Sequence, residues 1–305
     1  MNLVIYTVTL NPSIDYTIQL ESLKVGGLNK VIEDFKFPGG KGINVSRVLN
    51  NLGVKSKALG FIGGFTGKYL AEFLEKEGLE TDFIKVAGDT RINVKIKAQQ
   101  ETELNAAGPE ISDKALGELM EKINTLPADT FVVLAGNIPR SLPQNTYAQI
   151  IKATKNEKDF IVDAVGQALL ETLQHKPFLI KPNKEELEDL FKVKIDNLKE
   201  IVFWSRKLLA LGAKNVIVSL GKKGAVLINN DIQYYASAPV GKAINTVGAG
   251  DSLIAGFLSK YIKIRNILDS FRYGVAAGSA TAFSMDLCKK AAVDKLFSEV
   301  KLMEI

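Results

Sequence analysis

Short apolar runs alternate with segments of helical periodicity along most of the 305-residue chain. Several of the apolar runs are nearly continuous, which is typical of strands that are covered on both faces. Because strands that alternate with helices usually pair in parallel, the pattern predicts an α/β fold with a mostly parallel central sheet. The predicted strands cover residues 3–8, 57–62, 131–135, 160–163, 178–180 and 216–220, and the predicted helices cover 43–52, 69–77, 114–124, 145–153, 198–211, 251–262 and 267–283.

Three further segments have strand character without an intervening helix. Residues 15–20 and 30–37 follow one another directly, and residues 92–98 alternate apolar and polar side chains as a half-exposed strand does. Residues 99–103 could turn the last of these into a hairpin. These segments predict a small antiparallel flap beside the main sheet, with edge strands of the main sheet as the alternative. The chain has no repeat or low-complexity linker, so we expect a single domain over residues 1–305.

The composition excludes several classes of protein. One Cys cannot form an internal disulfide, and one His with one Cys cannot build a zinc site of the usual nitrogen and sulfur ligands. The 39 basic and 34 acidic residues give a net charge of +5, and the basic residues are scattered, so we expect no nucleic-acid partner. The mild excess suits an anionic small substrate or simple solubility. No apolar window is long enough to span a membrane and the N-terminus lacks a basic signal-peptide region, so we expect a cytoplasmic protein.

Two standard nucleotide motifs fail. A P-loop requires Gly-Lys followed by Ser or Thr, but Gly67-Lys68 precedes Tyr69. A dinucleotide-binding fingerprint has a third glycine three residues after the second one. In the run that begins at Gly248, Leu253 occupies that position. P-loop and Rossmann-type nucleotide sites are therefore not favoured.

The segment 245–252, Asn-Thr-Val-Gly-Ala-Gly-Asp-Ser, is the most informative one. The small residues Gly248, Ala249 and Gly250 open an apolar helix, where backbone amides can approach an anion closely. Such an anion site suits a phosphoryl group in transfer. Asp251, in the first helical turn, is placed to accept a proton from a substrate hydroxyl. The alternative is a tight turn with Asp251 as a helix cap.

Three other segments carry candidate chemistry. Residues 37–46 place glycines, Lys41 and Asn44 before a helix, although a plain turn fits as well. Asn183 and Glu186 could hold the waters of a magnesium ion, but their spacing equally fits a helix capping box. Residues 218–225 form a strand and glycine turn that could line a nucleotide or simply close a hairpin.

The combination of these segments resembles a known family. The segments 11–15, 39–46, 181–186 and 245–252 occur in the order found in the ribokinase-like carbohydrate kinases, and the phosphofructokinase B branch is the most similar. The resemblance runs from about residue 4 to residue 295. Within that branch, segments 6–12 and 90–95 resemble those of the kinases that act on fructose 1-phosphate. The family resemblance implies a three-layer α/β/α sandwich with a mostly parallel sheet and a small antiparallel β lid formed by about residues 15–37 and 90–105.

The resemblance also implies an activity: ATP-dependent phosphorylation of fructose 1-phosphate at C6, with Mg²⁺ as cofactor and Asp251 as general base. Amides around Gly248, Ala249 and Gly250 would stabilise the transferring phosphoryl group. The implied sugar-binding residues are Asp15, Gly39, Gly40, Lys41, Asn44, Arg91 and Asn137, of which Arg91 would hold the existing phosphate. The implied nucleotide-binding residues are Lys181, Asn183, Ser219, Gly221, Gly224 and Gly278, and Asn183 and Glu186 would hold magnesium through water.

Several alternatives stay open at this point. Asn137 lies in Ala-Gly-Asn-Ile-Pro where relatives often have Ser-Gly-Ser-Leu-Pro, so its role in substrate choice is open. Tagatose 6-phosphate is the main alternative substrate, and fructose 6-phosphate is the third. A non-catalytic sugar-phosphate sensor on a kinase scaffold is the alternative of a different class. Because lids of this family commonly meet in a dimer, we expect a homodimer through the lid.

Overall fold

A large twisted sheet forms the centre of the protein in the computed structural model, which describes residues 5–155 and 157–305. The strands of this sheet are β1 (Ile5–Thr9), β4 (Ser56–Ile62), β5 (Glu80–Lys85), β8 (Phe131–Ala135), β9 (Asp159–Asp163), β10 (Leu179–Ile180), β11 (Val216–Ser219), β12 (Ala225–Ile228), β13 (Gln233–Ala236) and β14 (Leu302–Glu304). They lie in the order β14-β13-β12-β11-β10-β9-β8-β1-β4-β5.

The part of the sheet from β11 to β5 is parallel throughout, whereas β12, β13 and β14 extend it in antiparallel order. Helices connect the parallel strands, as the right-handed crossover of βαβ units requires. The helices are α1 (Lys41–Asn51), α2 (Gly64–Lys76), α3 (Asp113–Asn124), α4 (Thr146–Ala153), α5 (Gly166–Leu173), α6 (Lys184–Phe191), α7 (Leu198–Ala210), α8 (Ala249–Ile264), α9 (Ile267–Ala282) and α10 (Lys290–Phe297).

Successive side chains of a strand point to opposite sides of the sheet, and both sides are buried because helices cover each of them. In β8, Val132 and Leu134 pack into the core beneath α3 to α7, while Phe131 and Val133 pack into the core beneath α1, α8, α9 and α10. All of these side chains are fully or almost fully buried. The fold is therefore the predicted three-layer α/β/α sandwich with a mostly parallel sheet.

A separate four-stranded sheet has the order β3-β2-β6-β7. Its strands are β2 (Ser13–Gln19), β3 (Glu33–Gly39), β6 (Arg91–Lys97) and β7 (Glu101–Asn105). The outer pairings, β3 with β2 and β6 with β7, are antiparallel as predicted. The central pairing of β2 with β6 is parallel, because β6 arrives after a long excursion through α1, β4, α2 and β5 rather than through a hairpin. We call this sheet the small sheet.

Most predicted elements are confirmed with boundaries that differ by a few residues. Positions 3 and 4 of the first predicted strand lie outside the described residues. The pattern missed β5, β13, β14, α5 and α10. Residues 218–225 close the hairpin that was their alternative interpretation, since β12 pairs antiparallel with β11. Among the described residues, we find no helix with both the length and the apolar character needed to cross a membrane.

Candidate active site

A cavity of about 550 Å³ lies at the carboxyl ends of the parallel strands, beneath the small sheet. Loops after parallel strands meet at one edge of such a sheet, which is where ligands bind in open α/β folds. The four sequence segments converge there although they are far apart in the chain. The predicted site residues that line the cavity are Asp15, Gly40, Lys41, Asn44, Arg91, Asn137, Lys181, Asn183, Glu186, Ser219, Gly248, Gly250 and Asp251.

Asp251 lies in the third position of α8, behind the glycine turn. Gly248 is the N-cap of this helix and has a left-handed backbone (φ 77°), which favours glycine. Asn44 Nδ2, from α1, donates a 2.8 Å hydrogen bond to Asp251 Oδ2. Asp251 is therefore not the helix cap that the alternative interpretation required; its carboxylate is buried at the cavity wall and held by a side chain from another element.

The pKa of Asp251 suits a proton acceptor. Burial is the largest cause of the shift and the neighbouring Asp163 carboxylate is the next, and together they raise the pKa of Asp251 to about 6. Lys41 and the Asn44 hydrogen bond oppose this shift by stabilising the charged form. A general base works best with a pKa near the operating pH. The carboxylate is thus mostly ionised at neutral pH and a stronger base than an ordinary aspartate.

The predicted anion site has a narrower set of amides than the sequence suggests. The Ala249 amide donates a 3.2 Å hydrogen bond to the Thr246 carbonyl, and Ala249 does not line the cavity. Gly248 and Gly250 do line it. A Cβ placed on Gly250 would lie 3.1 Å from Lys181 Nζ, so the lysine ammonium group sits directly beside this glycine. A backbone turn and a cation therefore face the same space.

Asp163 is a site residue that the sequence analysis missed. It ends β9, is 1% exposed, and lies between two cations: Lys41 Nζ at 2.9 Å from Oδ1 and Lys181 Nζ at 3.3 Å from Oδ2. Burial opposes its ionisation, but the two ammonium groups outweigh burial and hold the pKa of Asp163 below its usual value. Its only signal in the sequence is a carboxylate at the end of an apolar strand, where parallel strands place ligand-binding loops.

Lys41 faces the base and the nucleotide side of the cavity. Besides Asp163, its Nζ lies 3.9 Å from Glu186 Oε1. Burial disfavours the charged amine, but Asp163 and Asp251 outweigh burial and raise the pKa of Lys41. Its side chain is thus a fixed positive charge among three carboxylates, and an incoming phosphate would compete for it.

Arg91, the predicted phosphate-binding residue, donates hydrogen bonds to oxygen atoms without formal charge. Its guanidinium donates to the Asn11 and Ala106 carbonyls, both at 3.2 Å, and to Asn137 Oδ1 at 3.0 Å. No ion pair found among the described residues involves Arg91. Its charge is therefore available to an anion, and Asn137 orients it.

Asp15 is fixed by a network on the small sheet. Its Oδ1 accepts from Ser13 Oγ at 2.8 Å and from Asn93 Nδ2 at 3.2 Å, and its Oδ2 accepts from Lys95 Nζ at 2.9 Å. A Cβ on Gly39 would lie 2.3 Å from Asp15 Oδ1. Gly39 does not line the cavity, and its contribution is to leave room for this carboxylate.

Asn183 and Glu186 form the capping box that was the alternative interpretation. Asn183 Oδ1 accepts from the Glu186 amide at 2.6 Å, and Glu186 Oε2 accepts from the Asn183 amide at 2.8 Å. Glu186 Oε1 faces the cavity near Lys41. Nowhere in residues 5–155 and 157–305 do three or more acidic, His or Cys side chains cluster as a direct metal site. This donor set fits magnesium only if phosphates and water supply most ligands, as magnesium commonly requires.

Three predicted nucleotide residues lie outside the cavity wall. Gly221 begins a short 3₁₀ turn and Gly224 ends it, and a Cβ on Gly224 would lie 2.0 Å from the Ala236 carbonyl oxygen in the adjoining strand. Gly278 packs α9 against α8, where its Cβ would lie 3.0 Å from the Ala249 oxygen. Ser219 alone of the β11–turn segment lines the cavity.

Comparison with known proteins identifies the family. The model of the pfkB family carbohydrate kinases matches residues 8–291. A 1-phosphofructokinase of Bacillus subtilis is 50% identical, covering 99% of this chain and 100% of the relative, and a D-tagatose-1-phosphate kinase of Bacillus licheniformis is 35% identical with coverage of 99% and 100%.

Solved structures show the same fold. The phosphofructokinase-2 of Escherichia coli in complex with fructose-6-phosphate has a TM-score of 0.90 and 27% identity, covering 97% of this chain and 99% of its own. A ribokinase of Arabidopsis thaliana has a TM-score of 0.80 at 24% identity, covering 97% and 99%, which confirms the ribokinase-like fold. The chain therefore belongs to the pfkB family of carbohydrate kinases.

Proposed function

We propose that this enzyme transfers the γ-phosphoryl group of ATP to the C6 hydroxyl of fructose 1-phosphate, giving fructose 1,6-bisphosphate. Carbohydrate kinases are phosphotransferases with an alcohol acceptor, and membership of the family gives the chain that class of reaction. The observation that carries the proposal is the buried Asp251, with a pKa of about 6, in one cavity with a glycine turn and an available arginine.

Asp251 is proposed to act as the general base. Its carboxylate accepts the proton of the C6 hydroxyl as the oxygen attacks the γ-phosphorus, while Asn44 keeps the carboxylate in one orientation. The pKa of about 6 leaves the group ionised at neutral pH. Positioned acid–base catalysis contributes about 10²- to 10⁴-fold to a rate.

The phosphoryl group in transfer is proposed to bind at the turn formed by Gly248 and Gly250. The Ala249 amide donates to the Thr246 carbonyl and would stabilise the turn rather than bind the phosphoryl group. Lys181 beside Gly250 and Lys41 beside Asp163 add positive charge at the same place. Fixed donors and charges aimed at the developing charge stabilise the transition state without reorganising during the reaction.

The opposite end of the cavity is proposed to hold the sugar phosphate. Asp15 and Asn44 offer a carboxylate and an amide for sugar hydroxyls, and the Gly40 backbone lines the same wall. Arg91, oriented by Asn137, would form charge-assisted hydrogen bonds with the 1-phosphate. Because Lys41 contacts Asp163 and Glu186 in the structure, we assign it to the transfer side rather than to this phosphate.

The nucleotide is proposed to bind along Lys181, Asn183 and Ser219, with Gly221, Gly224 and Gly278 shaping the surrounding loops and helix. Glu186 and Asn183 would hold magnesium through water molecules. Bound magnesium would neutralise charge on the ATP phosphates, as it does in phosphoryl transfer generally. These assignments are supported by the side-chain chemistry at the cavity wall.

The relatives favour a substrate whose existing phosphate is on C1. The 50% identical relative is named a 1-phosphofructokinase and the 35% identical relative a D-tagatose-1-phosphate kinase, so both names place the phosphate at position 1. The relative solved with fructose-6-phosphate is 27% identical. Tagatose 6-phosphate, the alternative from the sequence, is supported by neither name. A sugar-phosphate sensor without turnover is disfavoured by the intact Asp251 and its glycine turn.

An ADP-release assay across a panel of sugar phosphates tests the proposal. Fructose 1-phosphate should give the highest kcat/KM, above tagatose 1-phosphate, tagatose 6-phosphate and fructose 6-phosphate. A higher kcat/KM for a 6-phosphate would refute the assignment of the substrate. Tight binding of sugar phosphates with no ADP release from any of them would favour the sensor.

We also propose a homodimer through the small sheet and a cytoplasmic location. The small sheet and its β2–β3 connection expose apolar side chains: Val25 is 90%, Leu28 is 88% and Leu104 is 56% exposed. Apolar patches of this kind mark interaction surfaces. Light scattering coupled to size exclusion should give twice the chain mass, and Leu28→Asp should halve it; a monomeric wild-type protein would refute the dimer.

A further inference from the structure

Helix α1 carries two polar residues one turn apart that reach in different directions. Asn44 donates to the Asp251 carboxylate, as described above. Arg47, three residues later, is only 4% exposed and does not line the active-site cavity. A buried arginine needs partners for its charge and donors, so its partners indicate what it does.

The guanidinium of Arg47 forms a fork with each of two carboxylates. Nε and Nη2 donate to the two oxygens of Glu77, both at 2.7 Å. Nη1 and Nη2 donate to the two oxygens of Asp286 at 3.2 and 2.8 Å. Glu77 is the C-cap of α2, whereas Asp286 lies in the segment between α9 and α10. Two bidentate pairs fix the positions of both partners relative to α1.

The Asp286 branch leads to the glycine turn at Gly248. The next residue, Leu287, is buried, and a Cβ on Gly248 would lie 2.6 Å from Leu287 Cδ2. The same Cβ would lie 3.5 Å from Asn44 Nδ2. Leu287 and Asn44 therefore both border the space beside the Gly248 α-carbon.

A second contact ties the same segment to the start of the glycine turn. Asn245 Nδ2 donates to the Met285 carbonyl at 3.1 Å, and Asn245 Oδ1 accepts from the Val247 amide at 3.1 Å. Residues 285–287 thus lie against both ends of the segment 245–248. Glu77 accepts hydrogen bonds from Arg47 and Asn50, and none of these reaches this turn.

We propose that Arg47 is a positioning residue for phosphoryl transfer: through Asp286 it fixes residues 285–287, which hold the glycine turn at Gly248 in place. The inference rests on the proposed function, because it assigns that turn to the transferring group. Displacements of about 1 Å in an active site can cost about 100-fold in rate. A loosened turn would therefore lower kcat more than it changes substrate binding at the other end of the cavity.

Two isosteric variants separate positioning from stability. Asp286→Asn and Glu77→Gln each neutralise one of the two carboxylates that pair with the Arg47 guanidinium, so both should lower Tm. Asp286→Asn should lower kcat about tenfold and leave KM for the sugar phosphate within about twofold. Glu77→Gln should leave kcat within about twofold. Leu287→Ala, which removes the contact with Gly248 and keeps the ion pairs, should reproduce the kcat loss.

The outcomes distinguish this inference from the proposed function. With an active wild-type enzyme, two results would overturn the role of Arg47. One is an equal loss of kcat in Asp286→Asn and Glu77→Gln, and the other is an unchanged kcat in Asp286→Asn. Absence of ADP release by the wild-type protein with every sugar phosphate would instead overturn the proposed function. A kcat loss in Asp286→Asn and Leu287→Ala, but not in Glu77→Gln, would support the inference.

Discussion

The charge of Asp163 should set the pH at which the enzyme loses activity on the acid side. Asp163 is the second largest cause, after burial, of the raised pKa of Asp251. With a pKa of about 6, Asp251 is about 90% ionised at pH 7 and about 10% at pH 5. Activity that needs the ionised base should therefore fall about tenfold between these pH values.

The Asp163→Asn variant removes a negative charge that disfavours the Asp251 carboxylate, so the pKa of Asp251 should fall and activity should persist to lower pH. At an effective dielectric constant near 20, two unit charges interact with about 4 kcal/mol at 4 Å and with roughly 1 to 2 kcal/mol at about 10 Å, and we take the lower figure. Since one pH unit corresponds to about 1.4 kcal/mol, the acid limb should move down by about one unit. The fall from pH 7 to pH 5 should then be about twofold.

The assay is kcat/KM for fructose 1-phosphate from pH 5 to 8, each enzyme being scaled to its own plateau. Because the second pKa of a phosphate monoester is also about 6, substrate titration contributes to every profile. Only the difference between enzymes reports on Asp251. Asp159→Asn is the matched control, since Asp159 lies at the opposite end of β9 and pairs with Lys214 at 3.7 Å. An unshifted Asp163→Asn profile, or an equal shift in the control, would refute the coupling.

Three further substitutions have definite expected results. Asp251→Asn should lower kcat by about 10²- to 10⁴-fold while calorimetry still detects sugar-phosphate binding; a loss below tenfold would contradict the base assignment. Arg91→Ala should raise KM for the sugar phosphate at least about tenfold with a smaller change in kcat, and an unchanged KM would remove it from the phosphate site. Gly39→Ala should raise the same KM because its Cβ would displace Asp15, whereas Gly117→Ala, which meets nothing within 4 Å in α3, should leave kinetics unchanged.

Much of the fold could be predicted because its strands and helices have strong periodicity. The buried strands β1, β4, β8, β9 and β11 are short apolar runs, and their alternation with helices predicts the parallel sheet. The pattern missed β5 because Glu80–Lys85 mixes charged and apolar residues at a sheet edge. It missed the parallel pairing of β2 with β6 because pairing between distant segments leaves no local signal.

The site was predictable where several residues form a motif and was missed where one residue acts alone. The glycine segments around Gly40 and Gly248 have recognisable composition, and both reach the cavity. Asp163 and Lys95 are single charged residues whose importance comes from partners far along the chain, Lys41 and Asp15. In β6, the polar side chains face the site: Lys95 is 7% exposed, whereas Ile92 is 37% exposed. Hydrophobic alternation alone does not indicate which face of a strand covers a binding site.

The proposed reaction is transfer of the γ-phosphoryl group of ATP to the C6 hydroxyl of fructose 1-phosphate. Phosphorus NMR of wild-type enzyme with ATP and fructose 1-phosphate tests it most directly, because it identifies both the product and the position of the new phosphate. We expect ADP and fructose 1,6-bisphosphate in equal amounts, and an initial rate of bisphosphate formation at least about 100-fold lower from Asp251→Asn at equal enzyme concentration. No transfer by the wild-type enzyme, or a new phosphate on another hydroxyl, would contradict the account.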